Sequence, residues 1–146
     1  MHILMCNDDG ILADGLRRLA SYLSQYYRIT VVAPANEQSA KSHALTTEIP
    51  LKLDAYNGED ENPRLYALTG TPSDCMKFGL SYLLTDDMPD LVISGINHGF
   101  NLGSDVLYSG TVSAAMESCF YGIPGLALSV ERYSPERGDE MHPFIH

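Results

Sequence analysis

The sequence predicts an α/β fold: a doubly wound, mainly parallel sheet in three α/β/α layers, with a β-hairpin insertion. Its first 34 residues follow the order strand, helix, strand, which is the βαβ unit of a parallel sheet. Most strand segments are short unbroken apolar runs, as in strands that are buried on both faces. One pair of segments is joined by a polar turn and predicts the hairpin. Because the chain has 146 residues, 45% of them hydrophobic, we expect a single domain over residues 1–146.

The N-terminal part of the chain predicts the βαβ unit. Residues 3–6 form an apolar tetrad that is too short for a helix, and residues 14–27 carry apolar side chains at helical spacing, with Asp14 as the candidate N-cap. The β-branched run 29–33 predicts the second buried strand. The polar stretch 34–47 predicts a long loop at the carboxyl end of that strand, and loops of this length are often functional.

The central part predicts the hairpin and a second helix. Residues 49–53 alternate between apolar and polar, and residues 64–68 supply the return strand after a loop with an acidic insert. Thr71 is a candidate N-cap and Pro72 occupies the first helical position, so a helix begins there. The predicted inner face of this helix consists of Cys75, Phe78, Gly79, Tyr82 and Leu83.

The C-terminal part predicts two strands around a third helix. Residues 91–93 form a short buried strand that ends in the glycine-rich stretch 94–103, whose spacing is not that of a dinucleotide-binding loop. Ser109 is a candidate N-cap for a helix over 112–121, and residues 126–130 predict the last strand. The predicted apolar stripe of the helix is Val112, Ala115, Met116 and Cys119.

The formal net charge of −10 argues against partners that are themselves polyanions. A nucleic-acid polymer or an anionic membrane needs a basic patch on the protein, so we expect neither as a partner. The chain shows no basic and apolar leader and no run long enough to span a membrane, which predicts a cytoplasmic protein. Cys6, Cys75 and Cys119 lie in apolar contexts, so we expect buried free thiols in a reducing compartment.

Two adjacent carboxylates, Asp8 and Asp9, follow the first strand and repel each other. A divalent cation is the simplest group that offsets them, although residues 7–10 are also good turn chemistry without any metal. Ser39 and Asn97 follow two other strands of the predicted sheet and reach the same edge, where ligands bind in doubly wound folds. Carboxylate, hydroxyl and amide oxygens are hard ligands suited to Mg²⁺, Mn²⁺ or Ca²⁺ rather than zinc.

Ser109, Gly110 and Thr111 begin the third helix, where free backbone amides and the positive end of the helix dipole favour a phosphate. An ordinary Ser/Thr cap is the alternative interpretation. Together with the acidic pair, however, the segment describes a site for phosphoryl hydrolysis, in which a metal activates water and fixed amides take the developing charge.

Five separated motifs occur in order between Met1 and about Val130. They are Asn7-Asp8-Asp9-Gly10, Ala33-Pro34 with Ser39-Ala40, Gly70-Thr71-Pro72-Ser73-Asp74-Cys75, Ser94-Gly95-Ile96-Asn97-His98-Gly99 with Asn101-Leu102-Gly103, and Tyr108-Ser109-Gly110-Thr111-Val112. This set resembles the survival protein E (SurE) family of 5′/3′-nucleotidases. The resemblance implies a Rossmann-like fold and metal-dependent removal of phosphate from nucleoside monophosphates.

The resemblance also implies roles for individual residues. One divalent ion, Mg²⁺ or Mn²⁺, would be held by Asp8, Asp9, Ser39 and Asn97. Contacts to phosphate and to the active site would fall on Asn101, Ser109 and Thr111, with Gly110 between the last two. Family members are longer and assemble as homodimers or tetramers, so this chain is expected to lack the family's C-terminal part.

The group that activates water stays open at this stage. Asp8 or Asp9 could accept its proton, and His98 could act as a general acid or base, so these three and Asn101 are the catalytic candidates. A metal-dependent nucleotide-binding module without turnover is the alternative function. A receiver-like signalling domain is not supported, because the strands that would need a phosphoacceptor aspartate and a lysine end in Ser94 and Glu131.

Overall fold

Strands and helices alternate along the chain, and a computed structural model describes them over residues 1–38, 44–58 and 60–131. The strands are β1 (His2–Cys6), β2 (Arg28–Pro34), β3 (Leu53–Ala55), β4 (Arg64–Leu68), β5 (Leu91–His98) and β6 (Gly125–Val130). The helices are α1 (Asp14–Leu23), α2 (Pro72–Phe78) and α3 (Gly110–Cys119), with a π-helical segment (Gly79–Leu83) after α2 and a 3₁₀ helix (Gly103–Tyr108) before α3. No helix in the described ranges has the length and hydropathy needed to cross a membrane.

The described strands form one sheet in the order β3-β4-β2-β1-β5-β6. All neighbours are parallel except β3, which pairs antiparallel with β4 at one edge. Strand β1 lies centrally, with Ile3 opposite both Ile29 of β2 and Leu91 of β5. The chain winds outward through β2 and β4, then returns to start β5 on the other side of β1. The switch point therefore lies between β1 and β5, as in a doubly wound fold.

Helices cover both faces of the sheet, which confirms the predicted three layers. Because strand side chains alternate in direction, Ile3 and Met5 of β1 pack with Leu16 of α1 on one face. On the other face Leu4 packs with the cluster that contains Met76 of α2. The buried state of Cys6 and Cys75 is also confirmed, whereas Cys119 is exposed, contrary to the prediction.

Helix α1 is shorter than predicted. Its N-cap is Ala13 and not Asp14, which is the first helical residue, and the helix ends before Ser24, so Tyr27 lies outside it. The physical reason is a distant side chain, because the amide nitrogen of Asn62 donates to the carbonyls of Ser24 (2.8 Å) and Tyr27 (2.9 Å). These bonds turn the chain towards β2.

The hairpin is confirmed, but its first strand is displaced from the predicted residues 49–53. Regular pairing is limited to β3 and β4, with Leu53 opposite Leu68. Before β3 the chain stays bound to the other strand's end, since the amide of Thr69 donates to the carbonyl of Lys52 at 2.9 Å and the amide of Lys52 donates to Thr69 Oγ1 at 2.8 Å. Ile49 lies outside the sheet and is exposed.

Helix α2 begins as predicted but does not keep its predicted inner face. Thr71 is the N-cap and forms a capping box with Asp74. The chain then continues as the π-helical segment, whose wider turn shifts the later side chains around the axis. Tyr82, predicted to face inwards, is consequently 72% exposed.

Helix α3 buries mainly small and polar side chains, so that of the predicted apolar stripe Ala115 is buried whereas Met116 and Cys119 are exposed. Met116 is 49% exposed, and Cys119 is exposed as well. The buried face carries Ser113, Ala114, Ala115, Glu117 and Ser118. Small residues are required there because α3 lies directly on β6, and a Cβ added at Gly125 would strike the carbonyl oxygen of Ala115.

Strand β5 extends to His98, well beyond the predicted residues 91–93. Its pairing with β6 shifts register between Ser94 and Asn97. Gly95 has φ +123°, and a Cβ there would overlap the carbonyl oxygen of Leu128, so only glycine fits this crossing. The shift re-aims the residues that follow it, as irregularities next to functional sites commonly do.

Candidate functional site

The loop after β1 is built as a side-chain-supported turn. Asn7 is fully buried and its Oδ1 accepts a hydrogen bond from the amide of Gly10 at 3.1 Å. The turn interpretation of residues 7–10 is therefore correct as local structure. It does not compete with a metal, because the same turn holds the two carboxylates of Asp8 and Asp9 at the switch point of the sheet.

Asp8 is held from two directions. It is 7% exposed, and its Oδ1 accepts a hydrogen bond of 2.7 Å from the hydroxyl of Thr111 in α3. Its backbone carbonyl accepts from the amide of Gln38 at 2.8 Å, which ties the loop after β2 to the loop after β1. The backbone of Asp8 is thus held by a residue 30 positions later in the chain, and its carboxylate is oriented by one 103 positions later.

Asp9 has an unsatisfied carboxylate. Its Oδ2 is buried and has no hydrogen-bond partner among the described residues. Burial raises the pKa of Asp9, the negative charge of Asp8 raises it further, and the nearby His98 acts in the opposite direction. A buried acceptor without a donor is costly. The orphaned oxygen beside a second carboxylate is the environment that a cation would relieve.

The end of β5 contributes amide side chains. Asn97 donates its amide nitrogen to the carbonyl of Gly99 at 2.8 Å, and Asn101 donates to Ser129 Oγ at 2.8 Å. Each side chain is thereby oriented through its nitrogen, and each amide oxygen is of a type that can ligate a hard cation. His98 is exposed between them.

The N-terminus of α3 lies against Asp8. Ser109 caps the helix, its Oγ accepting from the amide of Val112 at 3.2 Å. The first helical hydrogen bond is donated by Ser113 to the Ser109 carbonyl, so the amides of Gly110 and Thr111 precede it.

Gly110 lies close to the acidic loop. A Cβ there would lie 3.0 Å from Asp8 Cβ and 3.2 Å from Pro72 Cγ. Thr111 is fully buried and its hydroxyl is used on Asp8. Its side chain therefore positions the carboxylate, and its backbone is the part that an anion at the helix end would meet.

A pocket of about 300 Å³ opens at this junction. It is lined by Asp8, Asn97, Asn101, Asp105, Tyr108, Ser109 and Gly110. Five of these were predicted from the sequence, and the structure brings them together. Asp9, His98 and Thr111 are sequence neighbours of pocket residues but do not line the pocket themselves. Ser39 lies outside the described residues.

Sequence reasoning missed Asp105 as a pocket residue. It lies in the 3₁₀ helix Gly103–Tyr108, which no periodic pattern in the sequence predicted. The available signal was its position, because an acidic residue four positions before Ser109 falls in the same loop as the helix N-cap.

The donor chemistry of the site fits a hard cation. Within residues 1–38, 44–58 and 60–131, no three His, Cys, Asp or Glu side chains converge as a metal cluster. Asp8, Asn97 and Asn101 instead line one pocket, and carboxylate and amide oxygens are ligand types that suit a hard divalent cation.

Fold and site together define a Rossmann-like α/β protein that presents an acidic pair and a helix N-terminus at the switch point of its sheet. The chain belongs to the Survival protein SurE family, since the family model of that description matches residues 3–145. The resemblance and the fold class predicted from the sequence are confirmed.

Relatives named 5′-nucleotidase SurE match nearly the whole chain. The protein of Thermoanaerobacter sp. (strain X514) is 54% identical over 145 residues, covering 99% of this chain and 57% of the relative. That of Caldanaerobacter subterraneus subsp. tengcongensis is 49% identical over 144 residues, covering 98% and 56%. The crystal structure of the SurE protein from Aquifex aeolicus has a TM-score of 0.78 at 43% identity, covering 88% of this chain and 50% of that one. The chain spans about half the length of the relatives it matches.

Proposed function

We propose that the protein is a metal-dependent phosphomonoesterase that hydrolyses nucleoside 5′- and 3′-monophosphates to nucleoside and phosphate. The observation that carries the proposal is the direct contact between the α3 N-terminus and Asp8, given by the 2.7 Å Thr111–Asp8 bond and the close approach at Gly110. This contact puts an anion-binding helix end beside an acidic pair. The names of the relatives, 5′-nucleotidase SurE, support the same reaction.

In this proposal Asp8, Asp9, Ser39 and Asn97 hold one Mg²⁺ or Mn²⁺ ion. The buried Asp9 oxygen without a partner among the described residues supports this ligand set, as does the place of Asn97 beside Asp8 in the lining of the pocket. When bound, the ion polarises a phosphoryl oxygen and lowers the pKa of a bound water.

The residues of the chain position the substrate and handle protons. The amides of Gly110 and Thr111 and the Ser109 hydroxyl bind phosphate oxygens, and Asn101 adds its amide oxygen or nitrogen to the same pocket. Water attacks phosphorus, the P–O bond to the sugar breaks, and the leaving oxygen takes up a proton. Asp8 or Asp9 accepts the proton of the water, or His98, which lies close enough to influence Asp9, exchanges it.

The test is phosphate release from AMP and 3′-AMP with Mn²⁺, Mg²⁺ or EDTA. We expect turnover by the 146-residue chain with either metal, none with EDTA, and a loss of at least about 100-fold in Asp8→Asn. Asp86→Asn is the matched control, since Asp86 is exposed and lies before β5, at the opposite end of the sheet. If the folded protein binds Mn²⁺ but releases no phosphate from any monophosphate, the enzyme proposal is wrong and the binding module without turnover replaces it.

We also propose that the chain forms one domain, works in the cytoplasm and assembles as a homodimer or tetramer. The free buried thiols of Cys6 and Cys75 support a reducing compartment. Among the strands of the described part, β6 lies at one edge of the sheet with Leu126 exposed, which supports an assembly contact. Cell fractionation tests the compartment, and light scattering of the purified protein tests the state of assembly.

A further inference from the structure

We propose that Asp74 is a positioning residue of the metal site, because it fastens the loop after β2 to the first turn of α2. The inference rests on the proposed function, since it concerns the affinity of the same site for its cation. Asp74 does not line the pocket and is 4% exposed. Its carboxylate therefore acts through the groups that it binds.

The carboxylate of Asp74 joins two segments of the chain. Its Oδ2 accepts a hydrogen bond from the amide of Thr71 at 2.9 Å, and this bond is the part of the capping box that the carboxylate supplies. The amide of Thr46 donates to Oδ1 at 3.0 Å, and the Thr46 hydroxyl donates to Oδ2 at 2.7 Å. The Thr71 hydroxyl in turn donates to the Ala44 carbonyl at 2.6 Å. The bonds to Thr46 are additional to the helix cap, and a carboxylate acceptor makes them strong.

The beginning of the same loop is bound to the acidic loop. The amide of Gln38 donates to the carbonyl of Asp8 at 2.8 Å. In the sequence, residues 39–43 therefore follow one bound point and precede another, and Ser39, a ligand in the proposed site, comes directly after Gln38. A short stretch held at both ends has fewer conformations to lose when one of its residues binds an ion. Fastening the far end thus raises the affinity for the cation without contacting it.

The first turn of α2, to which the loop is fastened, lies against the site itself. A Cβ at Gly110 would lie 3.2 Å from Cγ of Pro72, the first residue of α2, and 3.0 Å from Asp8 Cβ. On the other side, the Cys6 thiol at the end of β1 lies 3.9 Å from the Pro72 carbonyl oxygen. The turn therefore contacts both the strand that leads to the acidic pair and the N-terminus of α3, so it is a fixed point of attachment relative to Asp8.

The test is the Mn²⁺ affinity of the 146-residue chain, measured by titration calorimetry. Thr46→Val removes only the hydroxyl bond to Asp74. Asp74→Asn keeps an acceptor oxygen for the Thr71 amide, whereas its nitrogen cannot accept from the Thr46 amide. We expect the Mn²⁺ affinity to fall about threefold in Thr46→Val and about 10-fold in Asp74→Asn, as is typical when a group that orients metal ligands is changed. Thr46→Ser, which keeps the hydroxyl, should retain the affinity of the wild type.

Thr69→Val is the matched control. It also removes a threonine hydroxyl that bonds a backbone amide, that of Lys52 at 2.8 Å, but this bond belongs to the hairpin. Its Mn²⁺ affinity should equal that of the wild type. Thermal unfolding is measured on every variant, and the titrations are made where each is folded.

A merely structural role of Asp74 predicts a lower unfolding temperature with an unchanged Mn²⁺ affinity of the folded protein, and that result would overturn the proposal. An equal loss of affinity in Thr69→Val would also overturn it, because the effect would not come from the bonds to Asp74. If Asp74→Asn does not fold, Thr46→Val and Thr46→Ser decide by themselves.

The same titrations separate this inference from the proposed function. If the wild type binds Mn²⁺ but releases no phosphate from any monophosphate, the enzyme proposal fails, and the affinities of the variants still decide the role of Asp74. If the wild type binds no Mn²⁺, the metal site and the role of Asp74 are both wrong.

Discussion

His2 is buried at the amino end of β1, on the side of the sheet away from the pocket, and is 2% exposed. Its Nδ1 lies 3.1 Å from the carbonyl oxygen of Asp87 and its Nε2 lies 2.9 Å from Thr30 Oγ1. Arg64 donates to the same Thr30 oxygen at 3.0 Å, and the Thr30 hydroxyl can in turn donate its hydrogen to Nε2 of a neutral ring. The neutral ring with its proton on Nδ1 satisfies both contacts, since Nδ1 then donates to the Asp87 carbonyl and Nε2 accepts from Thr30.

The pKa of His2 is lowered from its usual value, first by burial and then by the positive charge of Arg28, with Asp87 opposing. Because the unfolded state then takes up the proton at a higher pH than the folded state, acidification favours unfolding. We expect His2 to stabilise the fold fully above about pH 6.5 and to lose this contribution as the pH falls through 6.5 towards its lower folded pKa.

Urea unfolding of the wild type and His2→Gln at about pH 8 and about pH 5.5 measures this effect. The free energy of unfolding should fall more steeply with acidification in the wild type, so that the difference between the two proteins narrows. If the difference in the free energy of unfolding stays constant over this range, His2 has the same pKa in the folded and the unfolded protein, and the prediction is wrong.

At the scale of single elements, α2 depends on its first turn. A helix of seven residues is too short to be stable by itself. Asp74 accepts from the Thr71 amide at 2.9 Å, and it also accepts from the amide and hydroxyl of Thr46, at 3.0 and 2.7 Å. The hydroxyl of Thr71 donates to the Ala44 carbonyl at 2.6 Å. The cap of α2 therefore also anchors residues 44–46, at the end of the loop that follows β2.

We expect Asp74→Ala to lower the free energy of unfolding by about 3 kcal/mol, since it removes an N-terminal capping box and buried hydrogen bonds to a charged group. Asp74→Asn, which keeps one acceptor oxygen, should lose about half as much. Denaturant unfolding measures both, and Asp86→Ala controls for the loss of an exposed aspartate. A loss below about 1 kcal/mol in Asp74→Ala would mean that the capping network adds little.

At the scale of the whole molecule, the site depends on how closely α3 approaches β1. The contact pairs Gly110 with Asp8 and Pro72, and so joins three elements at the switch point. Gly110 has ordinary helical backbone, where alanine is intrinsically the better residue. A loss of activity or stability on replacing Gly110 by alanine would therefore result from crowding of the added Cβ and not from backbone strain.

We expect Gly110→Ala to reduce kcat/KM for AMP by about 10-fold or more, because its Cβ would displace Asp8 or the helix end by a few tenths of an ångström. Gly58→Ala is the control, since its Cβ would meet only Glu61 Cγ at 3.8 Å. Phosphate release and thermal unfolding are measured together. Unchanged activity in Gly110→Ala would show that the close approach is not needed for the reaction.

Much of the architecture could be predicted because it depends on local chemistry. Thr71 and Ser109 were recognised as N-caps from their own residue types and neighbours, and both accept the expected amides. The predictions failed where a distant group decides the outcome. Asn62 ends the turn after α1, and the π-helical segment turns Tyr82 outwards.

The sequence alone determined the βαβ order, the position of the acidic pair after the first strand and the start of the third helix at Ser109, because periodicity and turn chemistry act over a few residues. Only the tertiary structure decided that α3 buries its serines, that the Thr111 hydroxyl is used on Asp8, and that Asp105 shares the pocket. Each of these depends on what lies opposite a side chain in space, and for Thr111 and Asp8 that neighbour is 103 residues away.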